Sequence, residues 1–350
     1  MWGDLWRNAY NTYGARLKTD NSLFLISSRS SMNKITDLGG VKQLALRLRN
    51  WGRWGANDEL GTINFATGEK IVNAARLVRK GKVFSLSIPF DSAGPQRPLL
   101  GERRFNPIHT MLMTGSDVTA DAPIPWPFFR GADDLVILPT QCATHWDALS
   151  HVFYEGKMWN GYDCSLVTSA GAQKNGIENY KDKVVGRGVL LDIARCKKVK
   201  WLSPSYEITS EDLDECSNSE KVNVERGDFL LIRTGRMAQV KERGGWEDYA
   251  GGDAPGLAIE TAEWLYRHEV AAVATDTWGV EVRPNATKDC MQPWHLVVLP
   301  NMGLLMGEIF DLEELAEDCG EDKVYEFMFV APVIPFTGAV GSPTNPYAIK

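Results

Sequence analysis

The run from residue 141 to 151, QCATHWDALSH, constrains this chain more than any other segment. It places His145, Asp147 and His151 within seven residues. In an extended strand, side chains two positions apart point to the same face, so His145 and Asp147 converge on one point. If the chain turns after Asp147, His151 reaches the same side. Imidazole nitrogen and carboxylate oxygen suit zinc, manganese or iron, so the run predicts a metal site at the end of a strand.

Further ligands are expected from distant parts of the chain, because three are too few for a closed site. Glu308 is a lone carboxylate in an apolar stretch, and its burial costs several kcal/mol unless it is paired or bound to a cation. His295 precedes the apolar run 296–299. Both are candidates for a second metal position or for support of the first. From the residues alone, a buried arginine partner for Glu308 and a core role for His295 stay open.

Composition excludes several classes of protein. The net charge of −7 argues against nucleic-acid binding, which needs basic patches. No apolar run reaches the roughly 20 residues that a membrane span requires. The six cysteines form no CxxC pair, which predicts free thiols and a cytoplasmic protein.

The pattern of apolar segments favours a mixed α/β domain built on central sheets over a regular doubly wound fold. Strands are predicted at 83–90, 134–138, 189–193, 229–232, 270–274 and 327–330, the one at 134–138 being short and buried, and helices at 67–81, 209–215, 259–268 and 312–317. The segment Asp91 to Pro127, rich in proline and glycine, is predicted to be a long loop that covers the site. Residues 1–45 are predicted to form a loosely attached N-terminal extension, and residues 46–350 a single domain.

The run at 141–151 resembles HxGTHxDxPxH, the motif of the metal-dependent cyclase family, which includes bacterial-type kynurenine formamidases and isatin hydrolases. Three other segments are similar to that family: WGANDELGTIN at 54–64, GDFLLIRTG at 227–235, and Asp276-Thr277. The resemblance covers roughly residues 50 to 340, with these segments in the expected order, so it is fairly specific.

The resemblance implies a swivelling β/β/α fold, a homodimer or larger homo-oligomer, and one or two zinc or manganese ions. It implies that His145 and Asp147 ligate the metal, that His295 and Glu308 serve a second ion, and that His151 donates and accepts protons. Gln141 replaces the first histidine of the motif. Its amide oxygen would be a weaker, neutral ligand, better suited to manganese or to a metal-bound water than to tight zinc binding.

The leading hypothesis is a metal-dependent hydrolase of an acyl C–N or C–O bond, in a cyclic amide, imide, lactone or aryl formamide. The ion would polarise the carbonyl and lower the pKa of water from about 16 toward about 7, with His151 as the general acid and base. Two alternatives stay open: a lyase or isomerase on the same metal, and a non-catalytic metal-stabilised binding protein, which the Gln141 departure supports.

Aromatic residues near the motifs predict a small, flat, apolar or aromatic substrate. The candidate contacts are Phe153, Trp159, Trp278 and Trp294. Trp146 lies between two predicted ligands, but it would point to the opposite face of the strand and therefore pack in the core.

Overall fold

A computed structural model describes residues 34–97, 103–120 and 129–350. The first 33 residues of the predicted extension lie outside the described residues. Residues 38–45 of that predicted extension instead belong to a helix on the core, because Val41, Leu44 and Ala45 form a buried face at helical spacing. Apart from this helix, the division of the chain into an N-terminal extension and a single domain stays a prediction.

Short strands outnumber helices in the described residues. The strands are β1 Val83–Ser85, β2 Ile108–Met113, β3 Asp133–Ile137, β4 His145–Asp147, β5 Val167–Thr168, β6 Gly171–Ala172, β7 Val185–Asp192, β8 Glu207–Ile208, β9 Phe229–Arg233, β10 Gly256–Leu257, β11 Ala272–Thr275, β12 Leu305–Glu308, β13 Glu326–Val330, β14 Gly341–Pro343 and β15 Tyr347–Ile349. The helices are α1 Leu38–Arg47, α2 Gly68–Ala75, α3 Gly115–Thr119, α4 Ile193–Cys196, α5 Ser210–Glu220, α6 Arg236–Arg243, α7 Thr261–His268, α8 Pro293–Val297 and α9 Glu313–Asp322.

One large mixed sheet organises the chain, with the strand order β1-β15-β13-β7-β9-β11-β12-β4-β14. The four strands β7, β9, β11 and β12 run parallel, and antiparallel strands extend the sheet on both sides. Residues 189–191, 229–232 and 270–274 are fully buried, as expected for parallel strands that are covered on both faces. The predicted mixed α/β class is therefore confirmed.

The predicted helix starts agree with the structure where a capping residue marks them. Thr67 caps α2 by accepting from the backbone N–H of Lys70, and Thr209 forms a capping box with Asp212 at the start of α5. All six cysteines are free thiols, as predicted. In the described parts of the chain, no helix is both long enough and apolar enough to cross a membrane.

The segment before the metal run differs from its prediction. β3 is exposed along its whole length and pairs with β2 in a separate two-stranded sheet, so the prediction of a buried strand at 134–138 was wrong. The predicted loop at 91–127 contains β2 and α3. The apolar residues of β2 and β3 favour strands, but their side chains are exposed: Ile108, Met111, Leu112, Leu135, Val136 and Ile137.

Trp146 anchors β4 in the core, on the face opposite to His145 and Asp147. Its ring packs edge-on against Phe310 and Phe329, at centroid distances of 5.3 and 6.3 Å. Its Nε1 donates to the carbonyl of Ala331 at 3.1 Å. The alternation predicted for the strand is therefore present, with an aromatic anchor on one face.

We expect Trp146→Ala to lower the free energy of unfolding by about 3–5 kcal/mol, because it leaves a cavity in the core. Equilibrium urea unfolding in the presence of a chelator measures this without a contribution from metal binding. Val72→Ala is the control: Val72 is 55% exposed on α2, and its truncation should change stability by less than about 0.5 kcal/mol. Equal effects of the two substitutions would contradict the anchoring role.

Candidate metal centre

Two antiparallel strands bring the first ligands together. In the pairing of β4 with β12, Glu308 lies opposite His145. His145 Nε2 is 3.4 Å from Asp147 Oδ1 and 3.4 Å from Glu308 Oε2. All three side chains are almost fully buried. The predicted convergence of His145 and Asp147 is therefore present, and Glu308 joins them from 161 residues further along the chain.

The orientation of His145 leaves its second nitrogen available to a cation. Its Nδ1 donates to the carbonyl of Ala143 at 2.7 Å, so Nε2 is the nitrogen that is left to bind a metal ion or a proton. Nε2 and Asp147 Oδ1 are both buried and have no hydrogen-bond partner. Three lone-pair donors that face each other without a proton between them are unfavourable unless a positive charge sits among them.

His295 is held in a similar way by a carboxylate that the sequence did not predict. Glu281 is 2% exposed and accepts from His295 Nδ1. It also accepts from the backbone N–H groups of Trp294 and His295 at the start of α8. His295 Nε2 is therefore directed at Glu308 Oε1, 3.3 Å away. Histidine ligands of metals commonly donate their other N–H to a carboxylate or carbonyl in this manner.

The donor set fits a divalent metal ion. An ion bound at about 2.1 Å by two tetrahedral ligands holds them about 3.4 Å apart, which matches the distances around His145. The two oxygens of Glu308 face different histidines, His145 and His295, so this carboxylate can serve one position or bridge two. His145, Asp147 and Glu308 form a candidate metal site in the described residues.

The electrostatics of the cluster also favour a cation. Burial by itself lowers the pKa of His145, but the carboxylates of Asp147 and Glu308 outweigh burial and raise it to about 9. In the same way, Glu281 and Glu308 raise the pKa of His295 to about 10 against the effect of burial. The carboxylates thus create a field that draws in positive charge.

His151 lies at the edge of this cluster. It follows a turn in which its N–H donates to Ala148, and its Nε2 is 3.9 Å from Asp147 Oδ1. Its side chain is 23% exposed, whereas the side chains of the other site histidines are almost inaccessible. Gln141 is buried, with its Nε2 3.5 Å from His151 Nδ1 and its Oε1 accepting from Thr140. The role of Gln141 as a metal ligand stays a prediction.

A cavity of about 250 Å³ opens over these residues. Its lining comprises Arg103, Arg104, Asp147, His151, Val152, Trp278, Gln292, His295 and Glu308. Of the four aromatic residues predicted to contact substrate, Trp278 lines it. Trp159 and Trp294 are fully buried in the core, where their indole N–H groups bond Asp58 and Thr261, and Phe153 is 41% exposed.

Sequence reasoning did not find Glu281, Arg103 or Arg104. Glu281 carries a signal like that of Glu308, since it is a single carboxylate between Val280 and Val282. The two arginines lie in a proline- and glycine-rich segment, where no periodicity indicates which side chains face the site.

Comparisons with known proteins identify the family of the chain. The Cyclase family model, described as "Putative cyclase", matches residues 84–282. A crystal structure described as a novel cyclase is 40% identical, covers 87% of this chain and 99% of its own, and superposes with a TM-score of 0.79. The chain belongs to the cyclase family. The predicted cyclase-like fold, with its large curled mixed sheet, is therefore confirmed.

More distant members of the same fold are isatin hydrolases. Isatin hydrolase A from Ralstonia solanacearum is 16% identical, with 76% of this chain and 91% of that chain covered and a TM-score of 0.56. The enzyme from Labrenzia aggregata, whose structure contains benzyl benzoate, is 17% identical, with 80% and 97% covered and a TM-score of 0.56. At this identity the likeness concerns the fold alone. A search of curated proteins found no match.

We expect Asp147→Ala to empty the metal site, because it removes a charged donor from a buried position. Elemental analysis of the purified variant measures the bound metal. Asp182→Ala is a matched control, since Asp182 is exposed and pairs with Lys183. Full metal occupancy in Asp147→Ala would contradict the site.

Glu281→Gln should weaken metal binding about 10- to 100-fold, because the amide holds the His295 ring less firmly. Competition with a chelating dye measures the affinity. Glu155→Gln, at an exposed glutamate, serves as the control. An unchanged affinity in Glu281→Gln would contradict the role of the Glu281 charge in holding His295 as a ligand.

Proposed function

We propose that this cyclase-family chain is a metal-dependent hydrolase of an acyl C–N or C–O bond in a small, flat substrate. Cyclic amides, imides, lactones and aryl formamides are the substrate classes that fit the proposal. One observation supports it above the others: buried, unpaired donor atoms of His145 and Asp147 face Glu308 at the floor of a cavity. A half-buried histidine, His151, lies at the same cavity.

His145, Asp147 and Glu308 would hold the cation, and His295 and Glu308 would hold a second one. A divalent ion bound there supplies a Lewis acid that polarises a carbonyl and makes water more acidic. The protein contributes the geometry, because both histidine rings are fixed through their Nδ1 atoms by Ala143 and Glu281. That the ion is zinc or manganese, bound in one or two copies, stays a prediction.

His151 is the group that we assign to proton transfer. It is the most accessible of the three site histidines and lies 3.9 Å from Asp147, so it can reach both a water near the ligands and a substrate in the cavity. In the proposed reaction, its ring takes a proton from the attacking water and returns it to the leaving nitrogen or oxygen. Trp278 lines the cavity and provides an aromatic wall for a flat substrate.

The homo-oligomer and the cytoplasmic location remain predictions. The exposed apolar hairpin of β2 and β3 supports the first of them, because apolar side chains such as Leu112, 67% exposed, commonly mark protein contacts.

We expect His151→Ala to keep its metal but to lose turnover by about 100-fold or more, the usual contribution of a general acid and base. Turnover is measured in a hydrolysis screen over lactams, lactones, imides and N-formyl aromatics, and metal content by elemental analysis. His268→Ala, at the end of α7 and outside the lining of the cavity, is the control. Unchanged turnover in His151→Ala would remove His151 from the mechanism.

Heavy-oxygen water separates hydrolysis from the alternatives. A hydrolase incorporates the label into the product carboxyl group, whereas a lyase or isomerase on the same site does not. A protein that binds metal and gains thermal stability from it, but turns over none of these substrates, would instead be a binding protein.

A further inference from the structure

Two arginines, Arg103 and Arg104, add positive charge to the lining of the cavity. Arg104 is half-buried, and its Nη2 lies 3.4 Å from Nε2 of His151. Its guanidinium also lies over the ring of Trp278, with Cζ 5.5 Å from the centroid. Contact with the Trp278 ring restrains the guanidinium beside the proposed reaction centre.

Arg104 differs from the buried arginines elsewhere in the fold. Arg233 and Arg236, which are 7% and 4% exposed, each form an ion pair with a carboxylate at 2.7 Å. Among the residues that the structure describes, neither Arg103 nor Arg104 has an acidic partner within 4 Å. A guanidinium presents five N–H donors, and those of Arg104 that do not face His151 Nε2 are left to bind something that enters the cavity.

The charge balance of the site with a metal ion bound also favours an anionic ligand. The side chains of Asp147, Glu281 and Glu308 contribute three negative charges. One divalent cation and the two guanidinium groups contribute four positive charges, so the site would carry a net charge of about +1, or about +3 with a second cation. Such a cavity attracts anions and disfavours cationic substrates.

We propose that Arg104 binds a carboxylate on the substrate, so that the substrates are small aromatic acids that carry the scissile acyl group elsewhere on the molecule. This inference rests on the proposed hydrolase function and deepens it. A carboxylate matches the planar fork of a guanidinium and accepts two hydrogen bonds from it. Trp278, which lines the cavity, would then lie beside the ring of the acid, and His151 would lie between the bound carboxylate and the metal ligands.

A matched pair of substrates tests the proposal: 2-formamidobenzoate, which is an anion, and its neutral methyl ester. In Arg104→Gln we expect kcat/KM for the acid to fall about 10- to 100-fold, mainly through KM, and that for the ester to change less than about threefold. Arg104→Lys should retain part of the preference, since the charge stays but the two-point contact is lost. Arg76→Gln, at the exposed residue that follows the end of α2, is the control.

Three kinetic outcomes would overturn the assignment. The wild-type protein could prefer the ester, Arg104→Gln could slow both substrates equally, or Arg103→Gln could cause the same selective loss as Arg104→Gln. The acid and the ester both release formate, so an effect confined to the acid cannot arise from contact of Arg104 with the product formate. Such an effect identifies the carboxylate of the substrate as the group that Arg104 binds.

Binding measurements keep the test independent of catalysis. Isothermal titration of the metal-loaded protein with benzoate and with benzamide should show preference for the anion in the wild type and its loss in Arg104→Gln. If no acyl compound is hydrolysed but this preference is found, the proposed function fails and the carboxylate site stands. If benzoate does not bind, or binds Arg104→Gln equally well, the carboxylate site fails whatever the activity.

Discussion

The pairing of β4 with β12 is the constraint on which the candidate centre depends. It places Glu308 directly opposite His145 on the face that also carries Asp147. On the other face Trp146 is fixed among aromatic rings, so the strand cannot rotate without exposing a large apolar side chain. A slip of one residue in the register would turn both β4 ligands into the core and leave the indole at the metal position.

Burial makes this arrangement chemically demanding. The carboxylates of Glu308, at the end of β12, and Glu281, beside α8, are almost inaccessible to water. A buried charge without a counter-charge is costly. Ala143 and Glu281 fix the two histidine rings with their free nitrogens toward Glu308. The outer part of the site is different, because His151, Trp278 and Arg104 face a cavity where they can meet a substrate. The centre thus combines a rigid, acidic floor with a basic and aromatic wall.

Local patterns in the chain predicted much of this arrangement. Alternation in β4 correctly separated His145 and Asp147 from Trp146, and the isolated carboxylate at Glu308 indicated a polar site in an apolar stretch. The predictions failed where contacts between distant parts of the chain determine strand pairing and side-chain position. The run 134–138 forms a strand as its composition suggests, but it pairs with β2 outside the main sheet, and Trp159 and Trp294 pack in the core instead of the cavity. Apolar content does not specify which surface a side chain covers.

The sequence by itself determined the ligand types, their spacing in β4 and the capped helix starts, because these follow from backbone geometry over a few residues. Only the tertiary structure decided that Glu281 holds His295 and that Arg104 reaches His151. Those contacts join parts of the chain 14 and 47 residues apart, and one of them arises from a segment without periodicity. Their geometry is set by the packing of the whole sheet and its connections, which no local pattern encodes.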